Sequence, residues 1–169
     1  SLLKRSGGRI PEKNGLDLSG FAPALANIAL AAIKIGSACT FRIAGEAIRD
    51  RFSLKLVGAN YYDLVDPARR SHAMRAIDMV VDVPCGFRVE LLQRFSNGTE
   101  TRAEACAFPL ASGDPDIDGF VLFADEEVDP RGRPPVRKPE LLESIVLRRG
   151  LIDLGFGIDE GLEDLVQPQ

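Results

Sequence analysis

The chain has 169 residues, 45% of them hydrophobic, and a net charge of −4. That is the balance of one globular domain with extensions, and it lacks the excess of positive charge that a nucleic-acid partner calls for. Three unpatterned cysteines (Cys39, Cys85 and Cys106) and a single histidine exclude a structural zinc site.

The most apolar window, ALANIALAAI at 24–33, is too short to span a bilayer, and no secretory signal is read. With free thiols, this leads to the expectation of a cytoplasmic protein without a membrane partner. Residues 1–16 mix basic residues with Gly and Pro and are read as an arm. Asp17 or Ser19 can cap a helix over 17–29, with Phe21, Leu25, Ile28 and Ala29 at helical spacing. A strand is read at 31–36. CTFRIA (39–44) alternates, with Phe41 and Ile43 on one face and Thr40 and Arg42 on the other. Gly45 ends it. EAIRDRF (46–52) then makes about two helical turns with Ala47, Ile48 and Phe52 as its apolar side. Gly58 and Asn60 interrupt the chain, and Asn60 can cap the turn YYDLV. Asp66 and Pro67 open a longer helix that runs to Val81 and stops before Pro84.

After Pro84 the period changes to two. GFRVELLQRF (86–95) puts Phe87, Val89, Leu91 and Phe95 on one face and Arg88, Glu90 and Arg94 on the other. The Asn-Gly pair in SNGT favours a tight hairpin. The returning strand, 101–110, carries Ala103, Ala105 and Ala107 on one face and Arg102 and Glu104 opposite. GFVLFADEEV (119–128) is apolar on both faces from Phe120 to Phe123, which places it centrally in a sheet. These elements make an α+β fold, a five-stranded antiparallel sheet with helices collected on one face. DPRGRPPVRKP (129–139) reads as a linker. The segment 140–150 reads as a helix with Leu141, Leu142 and Ile145 on one face and Gly150 as its stop. An acidic tail closes residues 140–169.

The order of elements resembles the PAS domain, and in detail the bacterial PAS_5 family. The residues that carry the likeness are GRIP (8–11), LDLSGF (16–21), FRIAGEAI (41–48), LVG (56–58), DPARR (66–70), NGTE (97–100) and PLASGDPDIDGFVL (109–122). The resemblance covers roughly 8–128, so the PAS-like unit with its flanking helix is taken as 17–128. It implies a sheet of order 2-1-5-4-3. It also implies a sensory or regulatory module in signal transduction, whose helices cover one sheet face with room for a small ligand between. Residues facing that space on this reading are Phe41, Ile43, Phe52, His72, Ala76, Phe87, Val89, Leu91, Ala103, Ala105 and Ala107. The ligand is unknown and no cofactor is required.

Several signals have plainer explanations. Neither GxGxxG nor GxxxxGK[ST] occurs, so Gly45 and Gly58 read as punctuation. His72 falls about where haem-based oxygen-sensing PAS domains carry their axial histidine, but no arginine set for the propionates accompanies it. We therefore read it as a partly buried, hydrogen-bonded histidine. Flavin photosensor PAS domains carry a cysteine among the short helices, and 45–66 has none. Asp114, Asp116 and Asp118 lack the later glutamate of a calcium loop, and read as a solvated turn with no metal. Glu90, Glu100 and Glu104 alternate with Arg88, Arg94 and Arg102 as cross-strand ion pairs rather than catalytic acids.

The expectation is a non-catalytic sensor or adaptor that acts through dimerisation or docking on a signalling protein. A homodimer is expected through the helix at 17–29. Two alternatives stand beside it. One is an enzyme of a cone-like α+β fold, using His72 with Tyr61 or Tyr62. The other is a ligand-free interaction module with a filled core.

Overall fold

The computed structural model describes residues 10–52, 55–129 and 140–158. Most of the arm, the linker apart from Asp129, and the tail beyond 158 lie outside the described residues. The strands are β1 (Ile28–Lys34), β2 (Ala38–Ala44), β3 (Cys85–Phe95), β4 (Glu100–Leu110), β5 (Gly119–Asp129) and β6 (Leu141–Asp153). They form one antiparallel sheet of order β2-β1-β5-β4-β3-β6. Five strands take the 2-1-5-4-3 order expected of a PAS-like α+β fold, and β5 is interior as its two apolar faces require. Phe120 and Leu122 are buried on the outer side of the sheet, and Val121 on the inner.

The sixth strand is a correction. Residues 141–153 pair with β3 and do not form the helix expected from 140 to 150. Leu, Glu and Arg are good helix formers, but β3 would otherwise end the sheet with a row of unpaired backbone groups. Pairing along the length of β3 satisfies them, and Ile145 and Val146 suit a strand. The start of β6 is tied to the β3–β4 hairpin by Ser96 N–H donating to Glu140 O (2.8 Å) and Glu140 N–H to Ser96 Oγ (3.0 Å).

The inner face of the sheet is covered by α1 (Glu46–Phe52), a 3-10 turn at Tyr61–Leu64 and α2 (Arg70–Asp82). The turn is capped as expected, with Asn60 Oδ1 accepting from Tyr62 N–H (3.3 Å) and also from Cys39 N–H on β2 (3.0 Å). Asp66 and Pro67 make a turn before α2, in which Asp66 Oδ1 accepts from Ala68 N–H (2.8 Å). Asp78 of α2 locks three elements together: its carboxylate accepts from Tyr62 Oη–H (3.2 Å) and from Gly36 N–H (2.8 Å) in the β1–β2 turn.

On the outer face lies a 3-10 helix, Leu18–Asn27, where an α-helix over 17–29 was expected. Pro23 inside it cannot donate an intrahelical hydrogen bond, and Ile28 already belongs to β1. Asp17 does cap it, accepting from Ser19 N–H at 3.0 Å. Phe21 packs on the outer core of Ile28, Leu30, Leu110, Phe120 and Leu122. Gly45 sits directly beneath this segment: a Cβ there would collide with the carbonyl oxygens of Leu25 and Ala26.

Two of the sheet's register shifts, both β-bulges, change which side chains face the cavity. Leu30 pairs with Ile43 but Ala31 with Phe41, so Arg42 is an extra residue in β2. Phe41 is therefore buried inside, while Ile43 is 47% exposed on the outer face. In β6, Glu90 pairs with Arg148 and Leu91 with Val146, which leaves Leu147 as the extra residue.

Candidate functional site

Between the sheet and its helical cover lies a cavity of about 510 Å³. Its floor is sheet: Phe41 of β2, Phe87, Val89, Leu91 and Gln93 of β3, Ala105 of β4 and Phe123 of β5. Its cover is Ile48 and Phe52 of α1, the segment 64–67, and His72, Ala73, Ala76 and Ile77 of α2. The patterned stretch from Phe41 to His72 thus wraps one side of a cavity. β6 supplies another wall, with Val146 and Arg149 inside and Leu142, Glu143 and Ser144 also lining it.

Of the residues expected to face this space, Phe41, Phe52, His72, Ala76, Phe87, Val89, Leu91 and Ala105 line it. Ile43 does not, because the bulge at Arg42 turns it outward to a groove with Leu25 and Arg42. Ala103 and Ala107 are buried in the interior without lining the cavity.

Two buried polar residues of the walls, Gln93 and Arg149, were missed by sequence reading. Gln93 is 1% exposed, and neither its amide nitrogen nor its oxygen has a hydrogen-bond partner among the described residues. It shares the alternating row of Phe87, Val89 and Leu91, and a polar residue in an apolar row is the signal that could have found it. Arg149 is buried and lies on the wall opposite Val89 in the β3–β6 register. Its signal was hidden by reading 140–150 as a helix.

Arg149 Nη1 lies 2.9 Å from His72 Nε2, and the guanidinium carbon is 5.7 Å from the centre of the Phe87 ring. Guanidinium donates and cannot accept, so the imidazole accepts at Nε2 and carries its proton at Nδ1. Burial pushes the His72 ring below its ordinary value, and the charges of Arg149 and Arg75 push it the same way. Burial likewise lowers Arg149. His72 is therefore neutral near pH 7, and its Nδ1 is a buried donor without a partner among the described residues. This arrangement does not fit an axial haem ligand: Nε2 is engaged by Arg149 and Nδ1 is enclosed. Tyr61 lines the cavity, whereas the Tyr62 hydroxyl is bound to Asp78.

The remaining candidates have structural surroundings. Arg88 pairs with Glu104 across β3 and β4, and Arg94 bridges Glu100 (2.7 Å) and Glu143 (3.0 Å) on the exposed face. Asp114 Oδ1 accepts from Asp116 N–H (3.0 Å), and Asp118 Oδ2 from Ile35 N–H (2.8 Å). No group of three or more potential metal ligands occurs among the described residues. Cys39, Cys85 and Cys106 are free thiols; burial, then Asp78, pushes Cys39 up to about 12. No helix among the described residues is long and apolar enough to cross a membrane.

No family model matches the chain, and no curated protein matches it. Among solved structures it is similar to the PAS domain of a protein from Colwellia psychrerythraea, at 13% identity over 68% of this chain and 98% of that one, with a TM-score of 0.45. It is also similar to VqmA of Vibrio cholerae in a complex with ligand and DNA, at 16% identity over 73% of this chain, with a TM-score of 0.45. The match spans 56% of that VqmA chain. A third likeness is to the light state of the Aureochrome1 LOV photoreceptor, at 14% identity over 67% of this chain and 89% of that one, with a TM-score of 0.44.

Proposed function

We propose that this chain is a PAS-like sensory or regulatory domain that holds a small molecule between sheet and helices without transforming it. The observation that carries the reading is the cavity of about 510 Å³, walled by aromatic and aliphatic side chains with a few buried polar groups. That is the general composition and size of a small-molecule site. The non-catalytic reading is supported by the engagement of His72 with Arg149 and of Tyr62 with Asp78, the groups that a cone-fold enzyme would need as acid and base.

Membership of the PAS_5 family is the finer assignment we propose, supported by the ordered segments between 8 and 128. Output passes through a second copy of the chain and a signalling partner. A homodimer is supported by Leu25 (39% exposed) and Ile43, which leave the outer face partly apolar beside the 3-10 helix. The free thiols suit a reducing, cytoplasmic setting.

Native mass spectrometry of the protein purified from cells tests the ligand reading. The expected spectrum contains a dimer and an adduct released by mild activation. Protein that carries no adduct, and whose melting point no cell extract raises, removes the ligand from the proposal. Light scattering that finds a monomer at high micromolar concentration removes the dimer.

A further inference from the structure

Three features stand out beyond the fold itself: the apolar outer groove at Leu25 and Ile43, the locked Asp78–Tyr62 pair, and the side-chain amide of Gln93 on the cavity floor. The groove belongs to the proposed dimer face, and Asp78 and Tyr62 answer each other. The amide is left over, and it carries a chemical identity.

We propose that the cavity takes a small uncharged ligand with an amide-type edge, a carbonyl oxygen beside an N–H, that pairs with the carboxamide of Gln93. The proposal rests on the cavity being a ligand site at all, and it names the ligand's class. Gln93 is 1% exposed, and its Nε2 and Oε1 are both without a hydrogen-bond partner among the described residues. Of the described residues that line the cavity, it is the one with a buried donor and a buried acceptor unanswered together. The sheet does not answer them. The cross-strand neighbours of Gln93 are Thr101 of β4 and Ser144 of β6, and Thr101 Oγ1 is itself buried without a partner. Buried polar groups are normally paired, because losing water without a replacement is unfavourable. An answering group that the chain does not supply accounts for an amide in the row of Phe87, Val89 and Leu91.

A carboxamide offers a donor and an acceptor side by side. A lactam or a primary amide presents the same two groups in the opposite order. The pair then closes with two hydrogen bonds, Nε2–H donating to the ligand carbonyl and Oε1 accepting from the ligand N–H. A turn about the side-chain torsions directs that edge into the space the residue already lines. The charges of the lining favour a neutral body. Arg69 and Arg149 stand with Asp66 and Glu143, two of each sign, and His72 is held neutral. Arg149 has partners of its own, His72 among them, while Asp66 accepts from Ala68 N–H and Glu143 pairs with Arg94. Arg69 is half-buried, and an anion drawn to it would meet Asp66 in the same turn. Along β3, Gln93 lies four residues from Val89, the partner of Arg149, which is about 13 Å of strand. With its edge on Gln93, the ligand lies over Leu91 and Val89, the apolar stretch between.

The test uses three two-ring probes of similar size. 2-Quinolinone has the amide edge, coumarin has a ring oxygen in place of the N–H, and 2-naphthoate is anionic. Each is titrated calorimetrically into the whole chain and into Gln93→Met, which keeps the length of the side chain without its amide. The expected result is that 2-quinolinone binds at least about tenfold more tightly than coumarin, which leaves Oε1 unanswered, and at least about tenfold more tightly than 2-naphthoate. In Gln93→Met the preference over coumarin should fall to about one. Unliganded Gln93→Met should melt no lower than the parent, since a buried amide without a partner adds no stability. Coumarin or 2-naphthoate binding as well as 2-quinolinone overturns the amide assignment while leaving the cavity as a ligand site. A preference over coumarin that survives in Gln93→Met overturns it as well. So does a variant that fails to fold or melts more than about 4 °C below the parent, because Gln93 is then held by the chain itself. Failure of all three probes also overturns it, and Nile red then separates the two readings: if this neutral apolar dye binds and Ala105→Leu excludes it, the cavity reading stands alone. If the dye does not bind either, both fall.

Discussion

Ala105 is the position where the open cavity can be tested by adding atoms. It lies on β4, paired with Val89 and lining the cavity, and is only partly buried. Ala105→Leu adds three carbons. At about 30 Å³ each, the share of a water in the liquid, they fill roughly 90 Å³. That is about a fifth of the 510 Å³ present. No neighbour has to move, and apolar surface is buried at about 0.8 kcal/mol per carbon, so the variant should be as stable as the parent or up to about 2 kcal/mol more stable. If that space were filled, the same substitution would overpack the core and cost about 1–3 kcal/mol. Urea titrations at fixed pH separate the two, because a change of midpoint at constant slope reads stability alone. In a chain of this size each kcal/mol also moves the melting point by about 2–4 °C. A loss of more than about 1 kcal/mol with an unchanged slope would refute the open cavity.

Gly45→Ala should cost about 3 kcal/mol, since its new Cβ meets the backbone oxygens of Leu25 and Ala26, which cannot swing aside. Gly113→Ala, with open space around it, should change stability by less than about 0.5 kcal/mol; equal melting points for the two variants would contradict the close approach. His72 predicts a dependence on pH. Its folded value is held below the ordinary 6.5 by burial, then by Arg149 and Arg75. As pH falls below 6.5 the unfolded chain takes up the proton first, so stability is complete above that pH and declines beneath it. Urea midpoints between pH 8 and pH 5 should therefore fall less steeply in His72→Gln, and identical slopes would rule out this histidine as the source. Iodoacetamide at pH 8 should label the half-buried Cys106 of the native protein first, as read by peptide mass. Cys39 and Cys85 are buried with raised thiols, and should react after unfolding. Early labelling of Cys39 would contradict its burial.

Much of this molecule is written locally. The two-residue period of 86–95 and 101–110, the Asn-Gly turn and the apolar run at 119–123 determine three strands, because their signals involve neighbours in the chain. Glu46–Phe52 is a helix as read, and Asn60 and Asp17 cap the turns that follow them. The inward row of Phe87, Val89 and Leu91 follows from alternation alone. The polar end of the cavity was not legible in this way. Residues 141–153 have a helix former's composition, and the open edge of β3, some fifty residues earlier in the chain, makes them a strand. Alternation also fails wherever one extra residue enters a strand. The bulge at Arg42 sends Ile43 outward, and the bulge at Leu147 brings Arg149 inward beside His72. Such parity changes depend on the partner strand, which must accept two residues against one of its own, and that partner is supplied by the tertiary structure alone.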